Sequence, residues 1–449
     1  MKTYNPYSGN VLETYSELTT AEIQQKLELA RRAQAAWKLT TMEERASKLK
    51  TVAALLGNNK ERYARQMALE MGKPIKQGRS EIEKCVWLCE HFAAHASSML
   101  APEHIKTDYE QSYVVFEPLG TVLAVMPWNY PFWQVMRFIA PALMAGNVGV
   151  LKHASGVMGC AVMLEELFLE AGYNAGCFQN FIISSDAVED IIKNPIIKAV
   201  TLTGSKAAGS AVASTAAAEI KKAVLELGGS NALVVFNDAA IDKTIETCVA
   251  ARYQNTGQSC IAGKRLLLHK DIAPKFLKKL KDAVLEMKSG NPLDEETYIG
   301  VMAREELAKE LEVLMEKSIK MGATLELGGK RDKAFFEPTI LTNVTANMPV
   351  FKEETFGPLL AVTIFETVDE AVELVNQSAF GLGVSLFTED IELATSLVPR
   401  FKDGAVFINE KVSSHPALPF GGTGISGYGR ELSHYGIKEF CNIKTVVVA

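Results

Sequence analysis

Apolar residues recur at helical spacing through most of the first hundred positions. Thr20 and Thr41 are suited to cap two of the resulting helices, and Gly72 is suited to end a third. The predicted helices cover residues 21–37, 42–57, 60–71 and 79–98. Turn residues within 1–20 predict a short hairpin before them.

From residue 119 the pattern changes to short apolar strands that alternate with helices. The predicted strands are 122–126, 148–152, 178–183, 199–203 and 223–227, and the predicted helices are 132–145, 157–171, 186–193 and 206–218. Strands that are apolar on both faces and joined by helices form parallel, doubly wound sheets. Such sheets bind ligands at the carboxyl ends of their strands, where the polar and glycine residues of this region fall.

The alternation begins again after Gly228 and Gly229, which predicts a second α/β domain. Its predicted strands are 233–236, 265–269, 323–327, 359–365, 384–387 and 405–409, and its predicted helices are 239–253, 273–287, 303–321 and 368–376. Two further β-rich pieces, 112–118 and 445–449, have no helical partner of their own. The expected fold class is therefore α/β, with two doubly wound domains.

Composition narrows the class of protein. The chain has 449 residues, of which 48% are hydrophobic and 22% charged, an ordinary globular balance. The 47 Lys and Arg against 53 Asp and Glu give a net charge of −6 with the signs interspersed, which disfavours a nucleic-acid or membrane-surface partner. No run approaches about 18 uncharged apolar residues, and the first residues lack the apolar core of a signal peptide. A cytoplasmic protein is expected.

Seven scattered cysteines do not form a disulfide framework. Cys85 and Cys89 lie near His91 and His95, and the two histidines have the spacing of metal ligands. Both cysteines sit among apolar residues of one predicted helix, so core packing is favoured over a metal site. No metal is expected.

Cys260 differs from the other cysteines because it ends a polar turn, Asn255-Thr256-Gly257-Gln258-Ser259-Cys260, between a predicted helix and a predicted strand. A cysteine nucleophile works as the thiolate and needs access and nearby backbone N–H groups, which a small polar turn can supply. An inert turn cysteine is the alternative.

Other candidate chemistry lies at predicted strand ends. Gly204 and Ser205 lead from a strand into a helix whose first N–H groups suit a phosphate, although the full dinucleotide fingerprint is missing. Lys152 ends a strand where the loop can reach an adenosine ribose, or is simply exposed there. Glu226 is either a structural ion-pair partner or a base, and Asn129 is either a turn former or an oxyanion donor.

Five motifs lie in a familiar order and spacing along this chain. They are Pro127-Trp128-Asn129-Tyr130-Pro131, Leu225-Glu226-Leu227-Gly228-Gly229, Gly257-Gln258-Ser259-Cys260, Glu354-Thr355-Phe356-Gly357-Pro358 and Pro419-Phe420-Gly421-Gly422. Together they resemble the NAD(P)-dependent aldehyde dehydrogenase superfamily over essentially the whole chain. The resemblance implies the fold of that superfamily, with an oligomerisation arm in addition to the two α/β domains.

The resemblance also implies a mechanism. Cys260 attacks the aldehyde, the Asn129 amide and the Cys260 backbone N–H hold the oxyanion, and Glu226 activates the water that hydrolyses the thioester. Glu431 resembles a second glutamate of the proton path, but Phe138 stands where relatives often have a lysine opposite it. Relatives that acylate coenzyme A lack a glutamate at the position of Glu226, so hydrolysis is favoured.

The cofactor site follows from the same resemblance. Its expected residues are Trp128, Lys152, Ser155, Gly204, Ser205, Leu227, Glu354 and Phe356. Ser155 stands where many relatives have an acidic residue that binds the 2′-hydroxyl of NAD, so a 2′-phosphate would meet less repulsion. Either NADP or NAD is expected as cofactor, with NADP favoured.

For the substrate, Arg137 matches an arginine of succinate-semialdehyde dehydrogenases that can fork to a carboxylate. Ser259 and Ser414 are further candidates, and an exposed Arg137 on a helix is the alternative. Two departures, Gln254 in place of a second arginine and Gly424 in place of a common lysine, weaken the substrate assignment. A general aldehyde dehydrogenase, a coenzyme A-acylating enzyme and a non-catalytic binding protein stay as alternatives.

The expected domains are a dinucleotide-binding domain of residues 1–99 and 119–228, a catalytic domain of 229–427, and an arm of 100–118 and 438–449. The arm would pair with the sheet of a second subunit, so a homodimer or homotetramer is expected.

Overall fold

The first 118 residues form four helices and four short strands. The computed structural model describes residues 1–449, and these elements are β1 Lys2–Tyr4, β2 Val11–Thr14, α1 Thr20–Trp37, α2 Met42–Asn58, α3 Lys60–Met71, α4 Ile75–Met99, β3 Glu103–His104 and β4 Gln111–Pro118. Thr19 caps α1 together with Glu22, so the cap lies one residue before the predicted Thr20. Gly72 ends α3 in a left-handed conformation, as predicted.

Strands and helices alternate between residues 121 and 226, as the sequence predicts. They are β5 Thr121–Met126, α5 Trp133–Met144, β6 Val148–His153, α6 Met158–Glu170, β7 Phe178–Asn180, α7 Val188–Lys193, β8 Ile197–Thr203, α8 Lys206–Ala218 and β9 Lys222–Glu226. The strand predicted to continue to residue 183 stops at Asn180, where the pairing of β7 with β6 ends.

The remainder contains a second series of strands and helices. They are β10 Asn231–Val235, α9 Ile241–Tyr253, β11 Gly263–His269, α10 Ala273–Leu285, α11 Glu305–Lys320, β12 Thr324–Leu327, β13 Arg331–Asp332, β14 Phe335–Phe336, β15 Thr339–Thr342, α12 Pro349–Lys352, β16 Leu359–Phe365, α13 Val368–Asn376, β17 Phe380–Gly381, β18 Val384–Phe387, α14 Ile391–Leu397, β19 Val406–Ile408, β20 Thr423–Gly424, β21 Gly427–Tyr428, α15 Ser433–Gly436 and β22 Cys441–Val448. The sequence did not predict β15, which has only four residues.

Two mainly parallel sheets organise these elements, which confirms the predicted fold class. The first has the strand order β21-β9-β8-β5-β6-β7, and the second has the order β12-β15-β16-β11-β10-β18-β19. One edge strand of each sheet is antiparallel: β21 beside β9, and β12 beside β15. Strand β21, from near the end of the chain, forms one edge of the first sheet. There Gly427 of β21 pairs with Glu226 of β9.

The two β-rich pieces without helical partners form a separate three-stranded sheet of order β22-β4-β3. All eight residues of β22 pair antiparallel with β4, from Cys441 opposite Pro118 to Val448 opposite Gln111. Apolar side chains such as Ile443 and Val447 stay exposed on it. This small sheet therefore has little core of its own.

The cores follow the sheets. One continuous cluster covers the first sheet and the N-terminal helices and includes Cys85 and Cys89, both fully buried as predicted. The second sheet has a separate cluster on each face. No helix combines the length and the apolar composition needed to cross a membrane.

One fully buried ion pair lies next to the start of α5: Lys73, just before α4, pairs with Glu81 on α4. Lys73 contacts the carboxylate of Glu81, and the Lys73 ammonium lies 3.8 Å from the centre of the Tyr130 ring. The second carboxylate oxygen of Glu81 accepts the backbone N–H groups of Phe132 and Trp133, each at 2.9 Å. Glu81 therefore fixes the N-terminus of α5, where a negative charge is favourable.

Replacing Lys73 by methionine is expected to lower the free energy of unfolding by about 3–5 kcal/mol, because Glu81 would stay buried without a cation. Urea unfolding followed by circular dichroism measures the loss. Lys193→Met removes the exposed pair with Glu189 and is the matched control, which should leave the unfolding midpoint unchanged. Equal losses in both variants would show that burial of the pair has no special importance.

Candidate active site

The loop that carries Cys260 has a strained backbone. Helix α9 ends at Tyr253, and the next residues include three in the left-handed region: Asn255 (φ 57°), Thr256 (φ 55°) and Gly257 (φ 71°). This conformation is unusual for a β-branched threonine. At Gly257 a Cβ atom would lie 2.4 Å from the carbonyl oxygen of Gly357, so only glycine fits.

Amide side chains hold this loop against the segment after β5. Asn255 donates to the carbonyl oxygens of Asn129 (2.9 Å) and Gln258 (3.1 Å). The Asn129 amide also donates to the Gln258 carbonyl at 3.0 Å and accepts from Gln134 at 3.1 Å. Asn129 thus lies beside the Cys260 loop, and its role as an oxyanion donor stays a prediction. One of its two amide N–H bonds has no partner within the protein.

Lys264 binds the backbone carbonyl groups of the cysteine loop. Its fully buried ammonium, on β11, donates to the carbonyl oxygens of Ser259 (2.7 Å) and Cys260 (2.8 Å) and to the Glu354 carboxylate (2.9 Å). Burial lowers the pKa of Lys264, and the nearby Glu354 opposes this effect. The sequence analysis missed this residue, although a lysine inside an apolar strand four residues after the cysteine was a usable signal.

Cys260 and the three predicted substrate residues line one cavity of about 320 Å³. Arg137 enters it from α5, Ser259 from the cysteine loop and Ser414 from the segment after β19. Gln254 also lines it, where some relatives have an arginine. The structure therefore brings together residues 277 positions apart in the sequence.

Arg137 is buried, so the alternative of an exposed arginine on a helix surface is wrong. Only 3% of Arg137 is exposed, because all of α5 is buried between the first sheet and α4. Its Nε contacts the Glu431 carboxylate, and its guanidinium carbon lies 4.5 Å from the centre of the Phe420 ring. Its Nη2 has no hydrogen-bond partner.

The cation opposite Glu431 is therefore Arg137. Phe138, which stands at the position of the expected lysine, turns to the other side and packs edge-on against Phe440 at 5.8 Å. Arg137, the residue before Phe138 on α5, thus supplies the positive charge that Phe138 cannot. A buried carboxylate and a buried guanidinium compensate each other here.

Glu226 does not line the cavity with Cys260. It is 2% exposed and neither of its carboxylate oxygens has a hydrogen-bond partner. Burial raises its pKa well above the ordinary value, and the charge of Glu431 raises it further, whereas Arg137 and Arg430 lower it. Arg137 contacts the Glu431 carboxylate and not Glu226, and the pKa of Glu226 stays raised despite this nearby charge.

The Cys260 thiol faces the cavity and is half-buried. Burial raises the pKa of this thiol to about 11, and the charges of Arg137 and Lys264 oppose the increase. The thiol is therefore the dominant form at neutral pH in the ligand-free protein. The six other cysteines are buried.

The predicted cofactor residues lie at the carboxyl edge of three adjacent strands of the first sheet. Lys152 is the last residue but one of β6 and its ammonium lies 3.4 Å from the Ser185 hydroxyl, and Ser155 is exposed just beyond the strand. Gly204 follows β8, and Ser205 caps α8 by accepting the Ala208 N–H. A cation, a hydroxyl and free helix N–H groups at this edge fit a phosphorylated dinucleotide.

The other predicted cofactor residues lie towards the cavity. Trp128, directly after β5, packs edge-on against Phe356 with ring centres 5.7 Å apart. Leu227 packs against Gly209 of α8, where a Cβ atom would lie 2.6 Å from it. Glu354 accepts the Gly229 N–H at 3.0 Å in addition to its contact with Lys264.

An α/β fold of two doubly wound sheets, with a cysteine in a cavity beside a dinucleotide-compatible strand edge, defines a class of dinucleotide-dependent enzymes. Comparison with known proteins identifies the family. Residues 1–446 match the model of the aldehyde dehydrogenase family. The chain belongs to this family.

Several proteins similar to this chain are named succinate-semialdehyde dehydrogenases. The chain is 42% identical to succinate semialdehyde dehydrogenase [NAD(P)+] Sad of Escherichia coli (strain K12), over 98% of this chain and 96% of that protein. It is 41% identical to a probable succinate-semialdehyde dehydrogenase [NADP(+)] of Synechocystis sp. (strain ATCC 27184 / PCC 6803 / Kazusa), over 100% and 99% of the two chains. The structure of succinic semialdehyde dehydrogenase from Streptococcus pyogenes with NADP+ superposes with a TM-score of 0.97, at 34% identity, covering 100% of this chain and 99% of that one.

The rate of alkylation of Cys260 by iodoacetamide is expected to rise with pH, because the thiolate fraction increases until the pKa near 11 is reached. The rise should be about tenfold per pH unit between pH 7 and pH 10 in the ligand-free protein. Mass spectrometry of the modified peptide measures the rate, and Cys260→Ser is the control. A plateau below pH 8 would contradict the raised pKa.

Proposed function

We propose that this protein oxidises succinate semialdehyde to succinate with NADP+ as the electron acceptor. The observation that carries the proposal is the single cavity that holds both the Cys260 thiol and the Arg137 guanidinium. A thiol is the nucleophile that an aldehyde requires, and a buried guanidinium is a partner for a carboxylate. The names of the similar proteins support the same substrate.

In the proposed first step the Cys260 thiol loses its proton to water, and its sulfur forms a bond to the aldehyde carbon. The carbonyl oxygen becomes an oxyanion, to which the free amide N–H of Asn129 and the backbone N–H of Cys260 donate. The chemistry that the nicotinamide supplies when bound is the acceptance of a hydride. Loss of that hydride leaves a thioester on Cys260, which water cleaves to release the carboxylic acid and the thiol.

Glu226 is the proposed base for the attacking water. Burial raises the pKa of Glu226 and so disfavours the carboxylate, which is the form that accepts a proton. Arg137 and Arg430 oppose this effect, since their charges stabilise the carboxylate. Water depends on a base more than an acceptor thiol such as coenzyme A does, because a thiol loses its proton far more readily than water, so Glu226 favours hydrolysis.

The proposed cofactor site uses Lys152, Ser155 and Ser205 at the carboxyl edge of the first sheet. The Lys152 ammonium has no carboxylate partner there, only the Ser185 hydroxyl at 3.4 Å, and it would balance the charge of a 2′-phosphate. Gly204, Leu227, Trp128, Glu354 and Phe356 complete the proposed site towards Cys260.

The proposal extends to domains, assembly and location. Residues 1–99 and 119–228 would bind the dinucleotide, 229–427 would carry the catalytic cysteine, and 100–118 with 438–449 would join subunits into a homodimer or homotetramer. The unpaired edge of β22 and its exposed Ile443 support this role of the arm. A cytoplasmic location fits the need for a free Cys260 thiol.

Steady-state oxidation of succinate semialdehyde and of butanal, a neutral aldehyde of the same length, tests the substrate. We expect a higher kcat/KM for the semialdehyde. Arg137→Lys keeps a cation opposite Glu431 but loses the planar fork, so it should lower kcat/KM for the semialdehyde about tenfold and leave that for butanal unchanged. Cys260→Ala should abolish both activities. Preference for butanal would leave a general aldehyde dehydrogenase instead.

One negative charge at position 155 is expected to change the cofactor preference from NADP to NAD. Ser155→Glu places a carboxylate where a 2′-phosphate would bind, and should lower kcat/KM for NADP at least about tenfold while leaving that for NAD unchanged or higher. Absorbance of the reduced nicotinamide measures both rates. Ser155→Gln is the uncharged control of similar size. If the two variants behaved alike, the effect would be steric and the assignment of Ser155 would be wrong.

A further inference from the structure

The substrate cavity contains a cation that the sequence analysis did not identify. Lys84, on α4, lines the cavity together with Cys260 and Arg137. Its ammonium lies 4.4 Å from the centre of the Trp133 ring, the first residue of α5. Its one hydrogen-bond partner is the Ser414 hydroxyl, at 2.8 Å.

Lys84 differs from the other two cations that line the cavity because it contacts no carboxylate. Arg137 contacts Glu431, and Lys411 contacts Glu410. A half-buried ammonium with only a neutral oxygen beside it retains an uncompensated positive charge. The cavity around Lys84 is therefore electrostatically suited to an anion.

The surroundings of Lys84 destabilise this unpaired charge, so a ligand that compensates it would be favoured. Burial lowers its pKa to about 8, and the nearby Arg137 acts in the same direction. Glu81 is close enough to favour the charged form, but its own carboxylate is already held by Lys73 and two backbone N–H groups. A carboxylate ligand would relieve the repulsion between the two cations, whereas a neutral ligand would not.

The donors in this part of the cavity remain available. An ammonium has three N–H bonds, and Lys84 uses one on Ser414. Because the Ser414 oxygen accepts that bond, its own O–H is free to donate elsewhere. Ser414 is 5% exposed and lines the cavity, so bulk water has little access to this hydroxyl. One ammonium and one hydroxyl can together bind both oxygens of a carboxylate.

We infer that Lys84, with Ser414, binds the carboxylate at the far end of the semialdehyde, an inference that rests on the function proposed above. Arg137 is partly neutralised by Glu431, so the net positive charge that selects an acid over a neutral aldehyde comes from Lys84. The same inference explains why Gln254 can stand in place of a second arginine. Lys84 on helix α4 supplies the second cation instead.

The test compares the wild-type protein with Lys84→Met, which keeps the length of the side chain and removes the charge. With saturating NADP+, KM for succinate semialdehyde should rise about 10- to 100-fold, the usual effect of losing a hydrogen bond to a charged group. KM for butanal, and kcat for both substrates, should change little. Ser414→Ala should raise KM for the semialdehyde about 3- to 10-fold.

A control and a second measurement complete the design. Lys76→Met makes the same replacement on an exposed part of α4 and should leave both KM values unchanged. Binding is measured without turnover by the protection of Cys260 from iodoacetamide by succinate. Succinate should protect the wild-type protein and Lys76→Met but not Lys84→Met, even if Lys84→Met has low activity.

The outcomes separate the two proposals. If the wild-type protein prefers the semialdehyde but Lys84→Met changes neither its KM nor the protection by succinate, the role of Lys84 is wrong and the proposed function stands. Equal rises in KM for both aldehydes would also overturn this role, because they indicate a general disturbance. If the wild-type protein shows no preference for the semialdehyde, the proposed function fails, and the inference fails with it.

Discussion

The position of helix α5 depends on the buried contact between Lys73 and Glu81. One oxygen of the Glu81 carboxylate accepts the first backbone N–H groups of α5, and the other contacts the buried Lys73 ammonium. That helix carries Arg137, and the loop before it carries Asn129. The side chain of Gln77, also on α4, accepts the Asn255 N–H at 2.6 Å and so reaches the cysteine loop. One helix therefore aligns both walls of the cavity.

The cavity is also organised by a balance of charge. Arg137 lies between Glu431, which it contacts, and Glu226, whose pKa it lowers against the larger effect of burial. Arg430 also lowers the pKa of Glu226, but burial and the charge of Glu431 raise it, so Glu226 holds its proton more tightly than an exposed carboxyl would. Lys264 compensates Glu354 and at the same time binds the carbonyl groups around Cys260. Lys264 thus links the proposed cofactor residue Glu354 to the cysteine loop. Lys84 has no carboxylate partner and is available to an incoming anion.

Much of the fold could be predicted from local patterns. The alternation of strands and helices between residues 119 and 290 matches the structure within a few residues, because parallel strands buried on both faces must be apolar throughout. Strand β15 was missed, since only Ile340 and Leu341 of its four residues are apolar, and so short an apolar run does not separate a strand from a loop. Strand β21 was missed for another reason: Gly427 and Tyr428 form a strand only because Glu226 and Leu225 lie beside them.

The sequence by itself determined the fold class, the family and the residues around Cys260, because these depend on local composition and on motifs whose order along the chain is visible. Only the tertiary structure decided which charges meet. Arg137 finds Glu431 from 294 positions away, and Lys84 finds Ser414 from 330 positions away. The fate of a buried charge depends on what surrounds it in three dimensions. No spacing along the chain could therefore distinguish the compensated cations from Lys84, which has no carboxylate partner.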